Sequence, residues 1–200
     1  KMAVCSQAIM LQYVNPMAIK TWAIAQRYPS IRQVGLCHSV QGTSEELAHD
    51  LGLSLENIRY RAVGINHMAF FLSFEERCSD GTWRDLYPAL RRGYREGLFP
   101  KTTGANARCP NYVRYEVMKH FGLFVTESSE HFAEYVPWFL KSHRPDLIDK
   151  FRIPLDEYPK RCLEQIEEWQ DQIVAFKGVA NIDVKKSHEY AAEIMNAVVT

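Results

Sequence analysis

The sequence predicts an α/β protein in two parts: the second half of a doubly wound parallel sheet over residues 1–66, then a mostly helical α+β domain over 67–200. Three observations predict it. Up to residue 65, short apolar runs closed by turn residues alternate with amphipathic stretches, the strand and helix rhythm of a doubly wound sheet. Asp80–Gly81 then gives a tight-hairpin signal between two extended segments. Beyond it helical periodicity dominates, which places a domain boundary near residues 66–68.

The run Ala8–Val14 is apolar and ends at Asn15–Pro16, so it reads as a buried parallel strand whose last residue the proline holds extended. Met17 to Tyr28 has one apolar stripe, with Ile19 and Trp22 expected to pack on the sheet, and Pro29 stops it. Gln33 to Cys37 is the next strand. Ser39–Gly42 reads as a turn into a capping box at Thr43–Glu46, starting a helix that carries Leu47 and Leu51 and ends at Gly52. Arg59 to Ile65 reads as a third strand of the same sheet. From Met68 to Phe74 apolar residues recur at alternate positions, and helices are expected over Leu86–Glu96, Tyr112–Phe121 and Cys162–Lys177.

Composition narrows the function classes. With 46% hydrophobic residues in a chain of 200, a sizeable core is possible. The formal charge is zero with acids and bases interspersed, so no nucleic-acid track or anionic-membrane surface is expected as partner. No apolar run reaches the roughly eighteen residues that span a bilayer, and no signal peptide is visible. Five cysteines, odd in number and without a CxxC, fit reduced thiols in a cytoplasm better than a disulfide framework. Both ends read as mid-pattern, which predicts a piece of a longer chain, and no GxGxxG occurs.

Chemistry concentrates in two strand ends. Cys37–His38 and Asn66–His67 each follow a short apolar run, where open α/β sheets place ligands. A thiolate from Cys37 and a neutral nitrogen from His67 would suit a divalent metal. The same residues also fit a buried free thiol and a hydrogen-bonded core histidine. Thr126 to Tyr135 is the third reactive stretch: Glu127, Glu130, His131 and Glu134 at helical spacing form a band that could line a cleft, or an acidic, solvated helix amino end.

Taken together and in this order, QYVNPM, VGLCHS, GINHMAF and ESSEHFAEY resemble the NAD-dependent glycoside hydrolase family four, most closely its α-galactosidase branch, across essentially the whole chain. The resemblance implies a Rossmann-like fold of the lactate and malate dehydrogenase type, with residues 1–66 as the C-terminal part of the NAD-binding domain and 67–200 as a truncated catalytic domain. It implies α-galactoside hydrolysis through oxidation at C3, elimination and water addition, with NAD and Mn2+ as cofactors. This is a named exception to hydrolysis by two flanking carboxylates. Cys37 and His67 match its metal ligands, Asn15 and Asn66 are expected at the sugar, and His38 matches the acid, a position held by Asp in the phospho-glycosidase branch. The base falls in the third stretch, with His131 first and Glu130 and Tyr135 as alternatives. Manganese comes from the resemblance alone, since a Cys/His pair would by softness prefer zinc. A small-molecule substrate and a homo-oligomer are also implied. Ser187–Asn196 is similar to a family segment near the active site. The rival readings are a dehydrogenase of the lactate and malate type, against which the Cys37 and His67 pair and the lack of an arginine clamp both argue, and an inactive fragment.

Overall fold

A computed structural model describes residues 7–65, 67–100 and 110–178, with backbone only at 175–178. The elements run β1 (Met10–Gln12), α1 (Met17–Arg27), β2 (Gln33–Gly35), α2 (Ser39–Leu51), a 3₁₀ turn (Leu55–Asn57), β3 (Ile58–Ile65), β4 (Met68–Arg77) and β5 (Trp83–Asp85). There follow α3 (Tyr87–Arg95), α4 (Tyr112–Phe121), β6 (Phe124–Val125), α5 (Ser129–Tyr135), α6 (Asp146–Phe151) and α7 (Glu157–Gly178). The described residues form two compact units. One comprises 7–11, 23–34 and 155–178; the other, which holds the reactive stretches, comprises 12–22, 35–65, 67–100 and 110–154.

β1 and β2 pair with α1 between them. Met10 N donates to Arg32 O and Leu36 N to Gln12 O, so the bonds climb both strands in the same direction and the pair is parallel, as the sequence predicts. Three expectations in this region fail. β1 is short and half-buried, with Tyr13 and Val14 exposed beyond it. α1 buries no residue, and Trp22 is 67% exposed rather than core. β3 does not join the parallel pair; it belongs to a four-stranded sheet in which β4 pairs antiparallel with β3, β5 and β6. The reason is local: two residues separate β3 from β4, a length that closes a hairpin, whereas a parallel crossover needs a dozen or more.

β3 keeps period-two burial, Ile58, Tyr60 and Ala62 facing one way. β4 does not, because the register shifts between Arg61 and Ala62 and leaves Leu72 as an extra residue. That bulge, which simple alternation does not predict, puts Phe71 and Phe74 on the same face, where they pack with Leu47, Leu86, Leu90, Tyr115, Met118 and Phe124. A second cluster lies around Val113, Val117, Val125, Phe132 and Phe139, with Met68 and Phe70 packed against it from the other face of β4.

α2 begins at Ser39, one turn before the expected capping box. Gly42 N donates to His38 O and closes the first turn, so the hydroxyls read as caps lie inside the helix. Ser44 Oγ donates back to Val40 O, and Thr43 Oγ1 donates to Thr126 O at 2.6 Å. Gly52 ends α2 at φ 70°, a left-handed cap that glycine adopts without strain. α4 matches its predicted span, α1, α2, α3 and α7 begin or end a few residues from theirs, and α6 has no counterpart in the sequence reading. In α7, Ile166 and Trp169 are exposed.

Candidate functional site

Two groups of reactive side chains stand in the same unit. The first is at the amino end of α2. His38 is its N-cap residue, with the Tyr13 ring edge-on at 6.1 Å between centroids, and Cys37 Sγ lies 3.7 Å from Ser39 Oγ. Burial first, and then the Cys37 sulfur, hold the Tyr13 phenol above its ordinary pKa. Tyr13 is a residue the sequence reading passed over; its signal is a polar-tipped aromatic at the end of an apolar strand. Asn15 is exposed, and its carbonyl accepts from Lys20 Nζ at 2.9 Å.

The second group gathers on the β3–β4 turn. His67 takes a positive φ of 64° there, and Gly64 makes the turn possible: at φ 148°, a Cβ on it would collide with Met68 O and Ala69. Nδ1 of His67 faces Oε2 of Glu127 at 3.0 Å and the Tyr135 hydroxyl at 3.4 Å. The His131 ring stacks on the His67 ring at 6.0 Å and 14°. Burial, followed by Glu127 and Glu134, raises the Tyr135 phenol pKa.

The helical band expected at Glu127, Glu130, His131 and Glu134 is broken. Glu127 lies before α5; Ser128 is the N-cap, its Oγ accepting from His131 N, and Glu127 Oε1 accepts from Ser128 N. Glu127 therefore reaches His67 from the end of β6, while Glu130 is buried and Glu134 exposed. The detectable signal was an acid between a short strand and a Ser N-cap. Nδ1 of His131 is buried with no hydrogen-bond partner among the described residues, and its carboxylate neighbours Glu134 and Glu130 stand 3.6 and 3.9 Å away.

Chemically, an imidazole that gives its Nδ1 proton to a buried carboxylate carries its lone pair on Nε2, the arrangement of a carboxylate-oriented metal ligand. Among the described residues no group of three or more His, Cys, Asp or Glu side chains is arranged to hold a metal ion. Asn66, Cys5, Cys109 and Ser187–Asn196 lie outside the described residues. Among the described residues Cys37, Cys78 and Cys162 form no disulfide. A cavity of about 510 Å³ beside Phe121, Trp138 and Phe151 contains none of the predicted site residues. No described helix is long and apolar enough to cross a membrane.

Comparison with known proteins gives three kinds of likeness. Residues 2–53 match the model of the family 4 glycosyl hydrolases, and residues 62–200 that of the family 4 glycosyl hydrolase C-terminal domain. The α-galactosidase of Bacillus subtilis is 44% identical over 199 residues, covering 98% of this chain and 42% of the relative. Two solved structures share the fold. A Bacillus subtilis protein described as a glucosidase has a TM-score of 0.67 at 24% identity, covering 88% of this chain and 42% of that one. A 6-phospho-α-glucosidase from gut microorganisms, in complex with NAD and Mn2+, has a TM-score of 0.59 at 18% identity, covering 99% of this chain and 44% of that one. The chain thus spans less than half the length of each.

Proposed function

Because the chain belongs to glycosyl hydrolase family 4, we propose that the full-length protein hydrolyses α-galactosides with NAD and Mn2+ as cofactors. The observation that carries this reading is the 3.0 Å approach of the Glu127 carboxylate to Nδ1 of His67, which readies Nε2 of His67 as a ligand. The 44% identity to an α-galactosidase supports the sugar, and the NAD and Mn2+ bound to the 6-phospho-α-glucosidase neighbour support the cofactors. The matched spans 2–53 and 62–200 support a division into the C-terminal part of an NAD-binding domain and a catalytic domain, the second span beginning at 62, within β3, rather than at the expected 67.

When bound, NAD supplies reversible oxidation at the sugar C3 and the metal supplies Lewis acidity at the neighbouring oxygens. Cys37 and His67 would hold the metal. A catalytic metal keeps positions open for substrate, so a donor set of one thiolate just before α2 and one imidazole on the β3–β4 turn suits that use better than a closed structural site. No residue is assigned to the dinucleotide, since the sequence contains no glycine-rich phosphate turn.

In this reading His38, exposed at the α2 amino end, gives a proton to the glycosidic oxygen and recovers it from water. His131 takes the proton at the sugar C2; its support is its stacking on His67 and a buried Nδ1 that has no hydrogen-bond partner among the described residues. Glu130 and Tyr135 are the alternative bases. Asn15 and Asn66 contact sugar hydroxyls. Homo-oligomeric assembly and a cytoplasmic location rest on the family resemblance and the cysteine usage; light scattering and fractionation of the full-length protein test them.

The deciding experiment is hydrolysis of a nitrophenyl α-galactoside by the full-length protein, with NAD and Mn2+ each present or omitted, beside Cys37→Ser. Activity that needs both additions and is lost in the variant supports the reading. Turnover indifferent to NAD overturns it. Faster turnover of an α-glucoside or α-galacturonide would leave the chemistry and replace the sugar.

A further inference from the structure

The two halves of the site are joined by a buried polar strut that neither half needs for its own chemistry. Thr43, in the second turn of α2 and 3% exposed, donates its hydroxyl to Thr126 O at 2.6 Å. Thr126 N in turn donates to Ala69 O at 3.0 Å, at the start of β4 just past His67, and the next residue along the chain is Glu127. The Thr43 oxygen also accepts from Arg114 Nη1 at 2.5 Å. Arg114, only 2% exposed, also donates from Nη2 to Glu46 Oε2 and from Nε and Nη2 to Asn111 Oδ1, while Asn111 Nδ2 donates to Glu46 at 3.2 Å. One turn further along α2, Tyr115 donates to Asp50 at 2.7 Å.

This pattern is uneconomical as mere packing. A guanidinium withdrawn from water is costly unless each donor is met, and a helical threonine has its own i−4 carbonyl as a ready partner. Here the hydroxyl turns away from its helix to a carbonyl on the loop that presents Glu127. The polar groups of Arg114 and Asn111 then fix the azimuth of α2, whose N-cap His38, with Cys37 just before it, lies about 8 Å from Thr43 along the axis, at 1.5 Å per residue.

We propose that Thr43 is a positioning residue, its hydroxyl setting the α2 amino end, with Cys37 and His38, in register with the Glu127–His67 turn. The inference rests on the metal-dependent reading above. It differs from a stabilising role in what it moves: removing the hydroxyl loosens the relation between Cys37 and His67, and a misplacement of about 1 Å can cost 100-fold in turnover.

The test uses the full-length protein and three forms, wild type, Thr43→Val and Thr43→Ser, each measured for Mn2+ affinity by electron paramagnetic resonance titration, for kcat and KM on the nitrophenyl α-galactoside, and for Tm. Thr43→Val, near-isosteric and without the hydroxyl, is expected to weaken Mn2+ about tenfold or more and lower kcat 10- to 100-fold with little change in KM. Thr43→Ser restores both. Thr43→Val with wild-type Mn2+ affinity and kcat overturns the proposal, as does a Thr43→Ser variant equally impaired. Should Thr43→Val not fold, Thr43→Cys is judged by the same criteria. Wild type that neither binds Mn2+ nor needs it marks failure of the underlying reading instead.

Discussion

Glu127 and His67 meet at 3.0 Å although one leaves β6 and the other closes the β3–β4 hairpin. They meet because β6 pairs with β4 at Phe70 and Phe71, so the residues just beyond each strand end lie side by side. A carboxylate that accepts from Nδ1 fixes which imidazole nitrogen is left to bind a ligand.

Glu127→Ala in the full-length protein is expected to raise the Mn2+ dissociation constant about 10- to 100-fold. Glu127→Gln should cost less, since its amide oxygen can still accept from Nδ1–H. Resonance titration of free Mn2+ checks both, and unchanged affinity in the alanine variant removes Glu127 from the site.

The choice of base is open to an isotope measurement. His131→Asn is expected to lower exchange of the sugar C2 hydrogen with deuterated solvent about 100-fold or more, within the range for loss of a general base. Tyr135→Phe should retain it. The reverse pattern assigns the proton transfer to Tyr135, whose hydroxyl already stands 3.4 Å from His67.

Gly64→Ala tests the turn. Its φ of 148° and the collision of a Cβ with Met68 O and Ala69 predict a loss of about 2–3 kcal/mol. Urea unfolding measures it, and a loss below about 0.5 kcal/mol, the scale of an ordinary surface change, would show that the turn relaxes freely.

Alkali should weaken the fold through Tyr87. Its hydroxyl donates to Phe71 O and accepts from Phe124 N at 3.0 Å, bridging β4 and β6, and burial pushes its pKa from 10.0 up to about 12. A folded-state pKa above the unfolded one means that this stabilisation is complete below pH 10.0 and is lost as pH rises toward about 12. Tyr87→Phe strands the Phe71 carbonyl and Phe124 amide, costing about 1–3 kcal/mol at neutral pH, and flattens the alkaline decline. Tyr115, held well above its ordinary pKa by burial and then Asp50, and Tyr94, raised by burial and then its hydrogen bond to Glu116, leave a residual decline in the variant. Unfolding curves at neutral pH and in the alkaline range separate Tyr87 from the other two tyrosines, and an equally steep decline in Tyr87→Phe would acquit it.

The sequence by itself determined what local chemistry can encode. Apolar periodicity located β3, β4 and the helix Tyr112–Phe121, the Asp-Gly pair located the β4–β5 hairpin, and adjacency in the chain placed Cys37 and His38 at a helix amino end. Four short motifs sufficed for the family. β3 pairs with β4 through a two-residue turn, a local constraint that outweighs the strand and helix rhythm before it, whereas only the tertiary structure decided that β6 joins β4 in the same sheet. The same holds for the bulge at Leu72 that turns Phe71 and Phe74 onto one face. Likewise Thr43 reads as a helix cap until Thr126 supplies a stronger partner, and Glu127 reads as one of several helical acids until the β4–β6 pairing carries it to His67. These are contacts between residues far apart in the chain, and their energy comes from burial and hydrogen bonding that no local window contains.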